Sequence, residues 1–197
     1  MHKEQIAELL YQALETEEGG VKIYETALKC AQNEDLREEW EEYLEHTREH
    51  VEIVREAMEA FGLDPSVESP GRLVVRHIGE SLVEAMQMAL DSGLPDAAQI
   101  VATECVVLAE TKDHHNWELI GLTAGKLKGD EGKALRAAYE KVEDQEDEHL
   151  YHTSGWSREL WADALGMPAV LPPPEEEKDV KTAVGAARAK AARKPKK

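Results

Sequence analysis

The strongest constraint on the fold is a set of four long segments in which apolar residues recur every three or four positions. No stretch alternates apolar and polar residues over the length of a strand, and runs rich in Ala, Glu, Leu, Lys and Arg favour helix. Helices of about 30 residues reach about 45 Å at 1.5 Å per residue, which suits a four-helix bundle. The sequence therefore predicts an all-α fold.

Turn and capping residues divide these segments. Asn33 and Asp130 are predicted N-caps, and Gly62 is suited to the position that follows a helix. Residues 1–166 are predicted to form the bundle, and residues 167–197 a Pro-rich and then basic tail. We predict long helices over residues 3–31, 33–61, 95–123 and 130–165. One shorter helix, over residues 72–90, is predicted in the crossover between the second and third long helices.

The charge of the chain is unevenly distributed. The formal net charge is −18, yet residues 178–197 contain eight Lys or Arg and one Asp, so the rest carries −25. An acidic body repels phosphate and attracts cations, which excludes nucleic-acid binding by the bundle itself. Simple solubility is the alternative interpretation of this acidity. The basic tail is a separate candidate for binding nucleic acid or another partner.

Cysteine usage and the N-terminal residues indicate the compartment. Cys30 and Cys105 occur singly and belong to no Cys-x-x-Cys motif, so we expect small core residues in a reducing environment. The first residues lack a secretory apolar region, and no apolar run approaches the length of a membrane span. We expect a cytoplasmic protein without membrane contacts.

Polar residues occupy core positions in three of the long segments. Glu17 lies on the apolar stripe of the first segment, Glu110 on that of the third, and Glu146 and His149 on that of the fourth. Burying an uncompensated carboxylate costs several kcal/mol. Three of them on three helices need a common partner, and a pair of metal ions supplies one.

The spacing of Glu146 and His149 supports this interpretation. They form a Glu-x-x-His motif, and residues three apart share one face of a helix, so both can reach one metal ion. Di-iron bundles combine a lone Glu from each of two helices with a Glu-x-x-His from each of the other two. Glu17 and Glu110 fit the lone-Glu positions.

The second helix departs from this pattern, because no acidic residue precedes His46 or His50 by three positions. The two histidines lie four apart on one flank of the apolar stripe, whereas Glu45 and Glu49 point nearly opposite. We therefore predict His46 and His50 as the ligands of this helix. The alternative is that they bond to neighbouring carboxylates.

The two helix pairs also look duplicated. Glu17 precedes Tyr24 by seven residues, and Glu110 precedes Trp117 by seven. A pseudo-twofold bundle would place the two glutamates opposite each other. Trp117 is expected to be a packing residue, and so is Tyr24, for which electron donation is the alternative interpretation.

These residues resemble the ferritin-like superfamily, which includes bacterioferritin and rubrerythrin. The resemblance covers roughly residues 3–166. The segments that look most like bacterial stress-induced ferritin-like proteins are residues 45–51, 60–63 and 95–98 with Glu110. It implies a four-helix bundle with a long crossover and a dinuclear site, commonly of iron. The ligands that it implies are Glu17, Glu110, Glu146 and His149, with His46 and His50 as approximate matches and Glu143 as a reserve if the fourth helix is rotated by a turn.

Two classes of function follow. The first is a ferroxidase or peroxide-consuming enzyme of the stress response, in which Glu17 and Glu110 bridge two metal ions that meet O₂ or peroxide. Iron is favoured, and manganese and zinc accept the same donors. The second is a non-catalytic scaffold with structural metal or a partner-binding tail. A homodimer is expected in either case, since long bundles pair side by side.

Overall fold

The computed structural model describes residues 2–174, which contain helices and no strand, so the all-α prediction is confirmed. The predicted helix boundaries agree with the observed ones to within two residues. None of the described helices has the length and hydropathy needed to cross a bilayer. The helices are α1 (Lys3–Cys30), α2 (Glu34–Ala60), α3 (Pro70–Asp91), α4 (Pro95–Ala124) and α5 (Asp130–Ala164).

The helix ends follow local capping chemistry. The Asn33 side chain accepts hydrogen bonds from two N–H groups of the first turn of α2, and Gly62 adopts a φ of 65° beyond its end, as predicted. The prediction for α5 is wrong by one residue, because the N-cap is Gly129. Its φ of 85° suits glycine. Asp130 instead begins the helix, where its negative charge is favourable.

Four of the helices form a closed ring of neighbours. Helix α1 contacts α2 and α4, and α5 contacts the same two helices, so α1 lies opposite α5 and α2 opposite α4. Short connections join α1 to α2 and α4 to α5, which makes each pair antiparallel. The crossover helix α3 packs outside this ring against α1 and α4.

Buried ion pairs attach α3 to the ring. Arg72 Nε lies 2.6 Å from Glu15 Oε2, and Arg76 Nε lies 2.7 Å from Glu15 Oε1. Burial by itself would raise the pKa of Glu15, but the two guanidinium groups outweigh it and lower that pKa. Only three residues of this crossover helix are buried, and one of them is Arg72, so charge as well as apolar contact holds the helix in place.

A close approach of α1 and α2 depends on one glycine. A Cβ atom at Gly20 would lie 3.1 Å from Thr47 Cγ2, closer than an ordinary contact. Helix α1 is continuous through this position, so the glycine permits close packing and marks no bulge. Gly20 lies one turn after Glu17, and Thr47 one turn before His50, so this contact brings those two residues together.

The core consists of two apolar clusters with a polar layer between them. One cluster includes Tyr24, Trp40 and Trp156, and the other includes Leu14 and Trp117. In α1, α2, α4 and α5 the chain passes from one cluster to the other at the position where the predicted ligands lie. The fold therefore positions polar side chains from four helices at one level of the bundle.

Both cysteines belong to the apolar part of the core. Cys30 and Cys105 are buried and free, as the sequence predicted. Burial raises the pKa of the Cys105 thiol to about 11. The thiols are therefore protonated at neutral pH and lie apart from the polar layer, in the cluster around Tyr24.

Candidate metal centre

Five of the seven predicted ligands meet in the polar layer. They are Glu17 from α1, His50 from α2, Glu110 from α4, and Glu146 and His149 from α5. All are buried, and none is more than 4% exposed. Their convergence from four separate helices is what a bundle-core metal site requires.

These five residues form two overlapping groups. Glu17, His50 and Glu146 each offer one ligand atom within 4.8 Å of the others, and so do Glu110, Glu146 and His149. Glu146 belongs to both groups. Glu146, from α5, is thus the carboxylate that both groups share, and the expectation that Glu17 and Glu110 bridge the ions stays a prediction.

Neighbouring side chains orient the first group. His50 Nδ1 lies 3.2 Å from Glu146 Oε1 and 3.6 Å from Glu17 Oε1. On the other side of the His50 imidazole, Nε2 donates a hydrogen bond to Gln145 Oε1 at 2.8 Å, which leaves His50 Nδ1 as the ligand atom. Trp117 Nε1 donates to Glu17 Oε1 at 2.8 Å, so a residue expected only to pack also holds a ligand in place.

His149 is oriented in the same way. Its Nδ1 lies 3.7 Å from both Glu110 Oε2 and Glu146 Oε1, and its Nε2 lies 3.2 Å from His46 Nδ1. His46 Nε2 lies 3.8 Å from Glu42 Oε1. Because His46 occupies Nε2 of His149, the Nδ1 atom of His149 is the one that faces the carboxylates.

His46 and Glu143 are the two predicted ligands that lie outside both groups. The His46 ring lies nearly parallel to the His149 ring at a centroid distance of 5.4 Å, so His46 contacts a ligand residue without belonging to either group. Glu143 is exposed and lies one turn before Glu146, beside Tyr139. The helix α5 is thus oriented with Glu146, and not Glu143, toward the centre of the bundle.

Asp113 is a further buried acid that the sequence pattern did not identify. It is 5% exposed, and its Oδ1 has no hydrogen-bond partner among the described residues. Burial and the charges of Glu17, Glu146 and Glu110 raise its pKa well above the ordinary value. The spacing from Glu110 to Asp113 is also three residues, and this was the signal in the sequence.

The polar atoms of the centre are poorly satisfied by the protein itself. Those without a hydrogen-bond partner among the described residues are Glu17 Oε2, Glu110 Oε2, both carboxylate oxygens of Glu146, His50 Nδ1 and His149 Nδ1. Buried polar atoms in folded proteins are nearly always paired, and leaving them unpaired costs free energy. Metal ions would satisfy all six atoms at once.

The protonation equilibria reflect this crowding of charge. Burial, together with Glu110 and Glu17, raises the pKa of Glu146 against the opposing effect of His50. Burial by itself would lower the pKa of His50, but Glu17 and Glu146 outweigh it and raise that pKa. Protons therefore compensate the carboxylates where cations do not.

Two tyrosines enclose the α4 and α5 side of the centre. The Tyr43 ring lies 4.4 Å from the His149 ring between centroids, and the Tyr24 ring lies 6.2 Å from it. Burial raises the pKa of both phenols, so both are protonated at neutral pH. The Tyr43 hydroxyl also lies 2.7 Å from His152 Nδ1, which fixes its position.

Comparison with known proteins adds no family to this description. No protein-family model matches the chain, and no curated protein or solved structure matches it. The resemblance to the ferritin-like superfamily therefore stays a prediction.

Proposed function

We propose that this protein binds two divalent metal ions in the core of its helix bundle, with Glu146 as the bridging ligand. The observation that carries the proposal is that Glu146 belongs to both ligand groups while neither of its oxygens has a hydrogen-bond partner among the described residues. A buried carboxylate with two unpaired oxygens is costly in a protein core unless cations accept them.

Each ion has its own pair of additional ligands. One takes Glu17 and His50, and the other takes Glu110 and His149. Each group contains two carboxylates, with Glu146 counted in both, which suits a divalent ion. Uncompensated charge in the core is strongly unfavourable.

Iron is the metal we propose for the site. The donors are carboxylate oxygens and imidazole nitrogens without thiolate, a set that suits iron and also accepts manganese or zinc. Di-iron bundles use this combination of Glu and Glu-x-x-His ligands. Three protein donors per ion also leave coordination positions for water or a small oxidant.

The reaction we propose is oxidation of iron by O₂ or consumption of peroxide, as in stress-protective ferritin-like proteins. Bound iron would supply the redox chemistry. The chain's own residues exclude bulk water, hold His50 and His149 with Nδ1 toward the carboxylates, and place Tyr24 and Tyr43 beside His149. The nearby phenols support an oxidative role, because a protonated buried tyrosine can supply an electron and a proton.

Metal stoichiometry tests the binding proposal. We expect anaerobic dialysis against Fe²⁺, followed by elemental analysis, to find about two ions per chain, as the two ligand groups require. Glu146→Ala should lose both ions, because it removes a ligand from each group. Glu140→Gln, an exposed change on the same helix, should retain both. Full occupancy in the Glu146 variant would contradict the proposal.

Oxygen uptake tests the reaction separately. Addition of Fe²⁺ to the aerobic protein should consume O₂ faster than the same Fe²⁺ in buffer, and Glu146→Ala should abolish the difference. Metal binding without accelerated O₂ or peroxide consumption would favour the alternative, a structural metal. The polar layer that divides the core supports this second role, since ions there would link four helices.

A homodimer also stays a prediction. Exposed apolar residues on two adjacent helices, Val74 and Ile78 on α3 and Leu108 and Leu122 on α4, are surfaces that pairing would bury. Light scattering on the purified protein decides between monomer and dimer. The basic tail, proposed as a partner-binding segment, lies outside the described residues.

A further inference from the structure

A cavity between α4 and α5 has one residue of the metal centre, Glu146, among its lining residues. It has a volume of about 260 Å³ and is polar over much of its wall. Its lining includes Glu118, Glu143 and Asp147 together with Glu146 and Trp117. One cavity is thus lined both by exposed acids and by the proposed bridging ligand.

The two sides of this cavity differ in exposure. Glu118 and Glu143 are exposed, and the Asp147 side chain is 43% exposed, with one oxygen accepting a hydrogen bond from His114 Nε2 at 2.8 Å. Glu146 is 1% exposed, and Trp117 donates to the ligand Glu17. The wall therefore leads from solvated carboxylates to a buried carboxylate without a hydrogen-bond partner among the described residues.

We propose that this cavity is the route by which divalent cations reach the buried centre, with Glu118, Glu143 and Asp147 attracting the cation at its mouth. The inference rests on the proposed dinuclear function. Clefts lined by charge of one sign raise the local concentration of counter-ions and the rate of their association.

Transfer from the mouth to the centre follows from helix geometry. Glu143 and Glu146 are three residues apart on α5, so their side chains are neighbours along the helix surface. A cation that leaves water at Glu143 meets Glu146 as its next ligand. The exposed position of Glu143, which the sequence suggested as a reserve ligand, is consistent with transient binding.

The cavity beneath α3 does not offer such a route. Its wall is almost wholly apolar, with Ile23, Val75, Ile78 and Leu82 among its lining residues. None of the five residues of the metal centre lines it. Its one carboxylate, Glu15, is already paired with Arg72 and Arg76, so a cation that lost its water there would gain little in compensation.

Rapid-mixing kinetics with Co²⁺, followed by its visible absorption, test the route. The triple variant E118Q/E143Q/D147N should bind Co²⁺ about tenfold more slowly at low ionic strength, while the final number of ions in the centre is unchanged. The slowing should diminish at high salt, because exposed charges are screened. A matched triple variant, E38Q/E41Q/E59Q, removes the same charge from exposed positions on α2 and should bind nearly as fast as the unaltered protein.

The outcomes separate two failures. Equal rates for both triple variants, whether slowed or not, would overturn the proposed route, because overall charge alone would then govern uptake. The equilibrium Co²⁺ absorption of the unaltered protein is also compared with that of Glu146→Gln. Equal absorption of the two proteins would instead overturn the metal centre itself. Circular dichroism of each variant confirms that the helices are intact.

Discussion

At the scale of single residues, the centre depends on which imidazole nitrogen faces the carboxylates. His50 and His149 both present Nδ1, because Gln145 and His46 occupy their Nε2 atoms. These two neighbours bind no metal in the proposed arrangement. They orient the two rings, and loss of a partner of this kind typically lowers metal affinity about 10- to 100-fold.

The Gln145 amide gives a first prediction. Gln145→Leu removes the acceptor for His50 Nε2–H and should weaken metal binding about 10- to 100-fold, because the ring loses its preferred orientation. Gln145→Glu keeps an acceptor at this position and should restore most of the affinity. Competition titration with a chelator of known affinity measures both. Unchanged affinity in the leucine variant would show that Gln145 does not position the ring.

Glu39 gives a second prediction, on stability and pH. Burial raises its pKa from 4.5 to about 7, with the Trp156 hydrogen bond opposing and nearby acids adding to the effect. The folded state thus favours protonated Glu39, and stability is lost as pH rises from about 4.5 through 7. Glu39→Gln stays neutral and can still accept from Trp156, so it should raise the melting temperature at pH 8 and have little effect at pH 4.5.

A neighbouring position controls for this effect. Glu38 is exposed, and Glu38→Gln should change the melting temperature equally little at both pH values. Both variants are measured in the same metal-loading state as the unaltered protein. A pH-independent effect of Glu39→Gln would contradict the assigned role of its ionisation.

At the scale of secondary structure elements, the pair Gly19 and Gly20 distinguishes helix propensity from helix packing. A Cβ at Gly19 meets nothing within 4 Å, whereas one at Gly20 meets Thr47 at 3.1 Å. Both glycines lie inside α1, where Ala is intrinsically better by about 1 kcal/mol. A change from Gly to Ala therefore has the same effect on intrinsic helix propensity at both positions, and the positions differ only in their contact with α2.

These contacts yield a third prediction. Gly19→Ala should increase the free energy of unfolding by about 0.5–1 kcal/mol, measured by urea denaturation. Gly20→Ala should gain less or lose stability, and it should also weaken metal binding, because α2 carries His50 and would be displaced from Glu17. Equal stabilisation by both changes, with unaltered metal affinity, would contradict the close approach of α1 and α2.

At the scale of the whole molecule, the polar layer makes folding and metal binding interdependent. The apolar core is divided into two clusters, and the layer between them contains four buried acids and two buried histidines from four helices. An unfolded chain cannot assemble such a site. Ions that bind only the folded state stabilise it by mass action.

The fourth prediction follows from this linkage. The melting temperature of the protein should rise with the concentration of free Fe²⁺ or Co²⁺. The free energy of unfolding should increase by about 4 kcal/mol when the free metal concentration is a thousandfold above the dissociation constant. Glu146→Gln should lose this dependence even where its metal-free form is as stable as that of the unaltered chain. Scanning calorimetry at several metal concentrations measures it. A metal-independent melting temperature would contradict the link.

The sequence by itself determined the helices and most of the residues that meet in the polar layer. Helical periodicity places Glu17, Glu110, Glu146 and His149 on apolar stripes, and a stripe must face the core whatever the partners are. The all-α class and the helix ends follow from equally local chemistry. These properties depend on residues close together along the chain, so the sequence expresses them directly.

Only the tertiary structure decided how those ligands combine. Glu146 is shared by the two groups, His50 rather than His46 reaches the carboxylates, and Gln145 and Asp113 join the centre. Each of these facts depends on the rotation of one helix about its axis relative to its neighbours. Packing of side chains from distant parts of the chain sets that rotation, and the period of a single helix does not contain it.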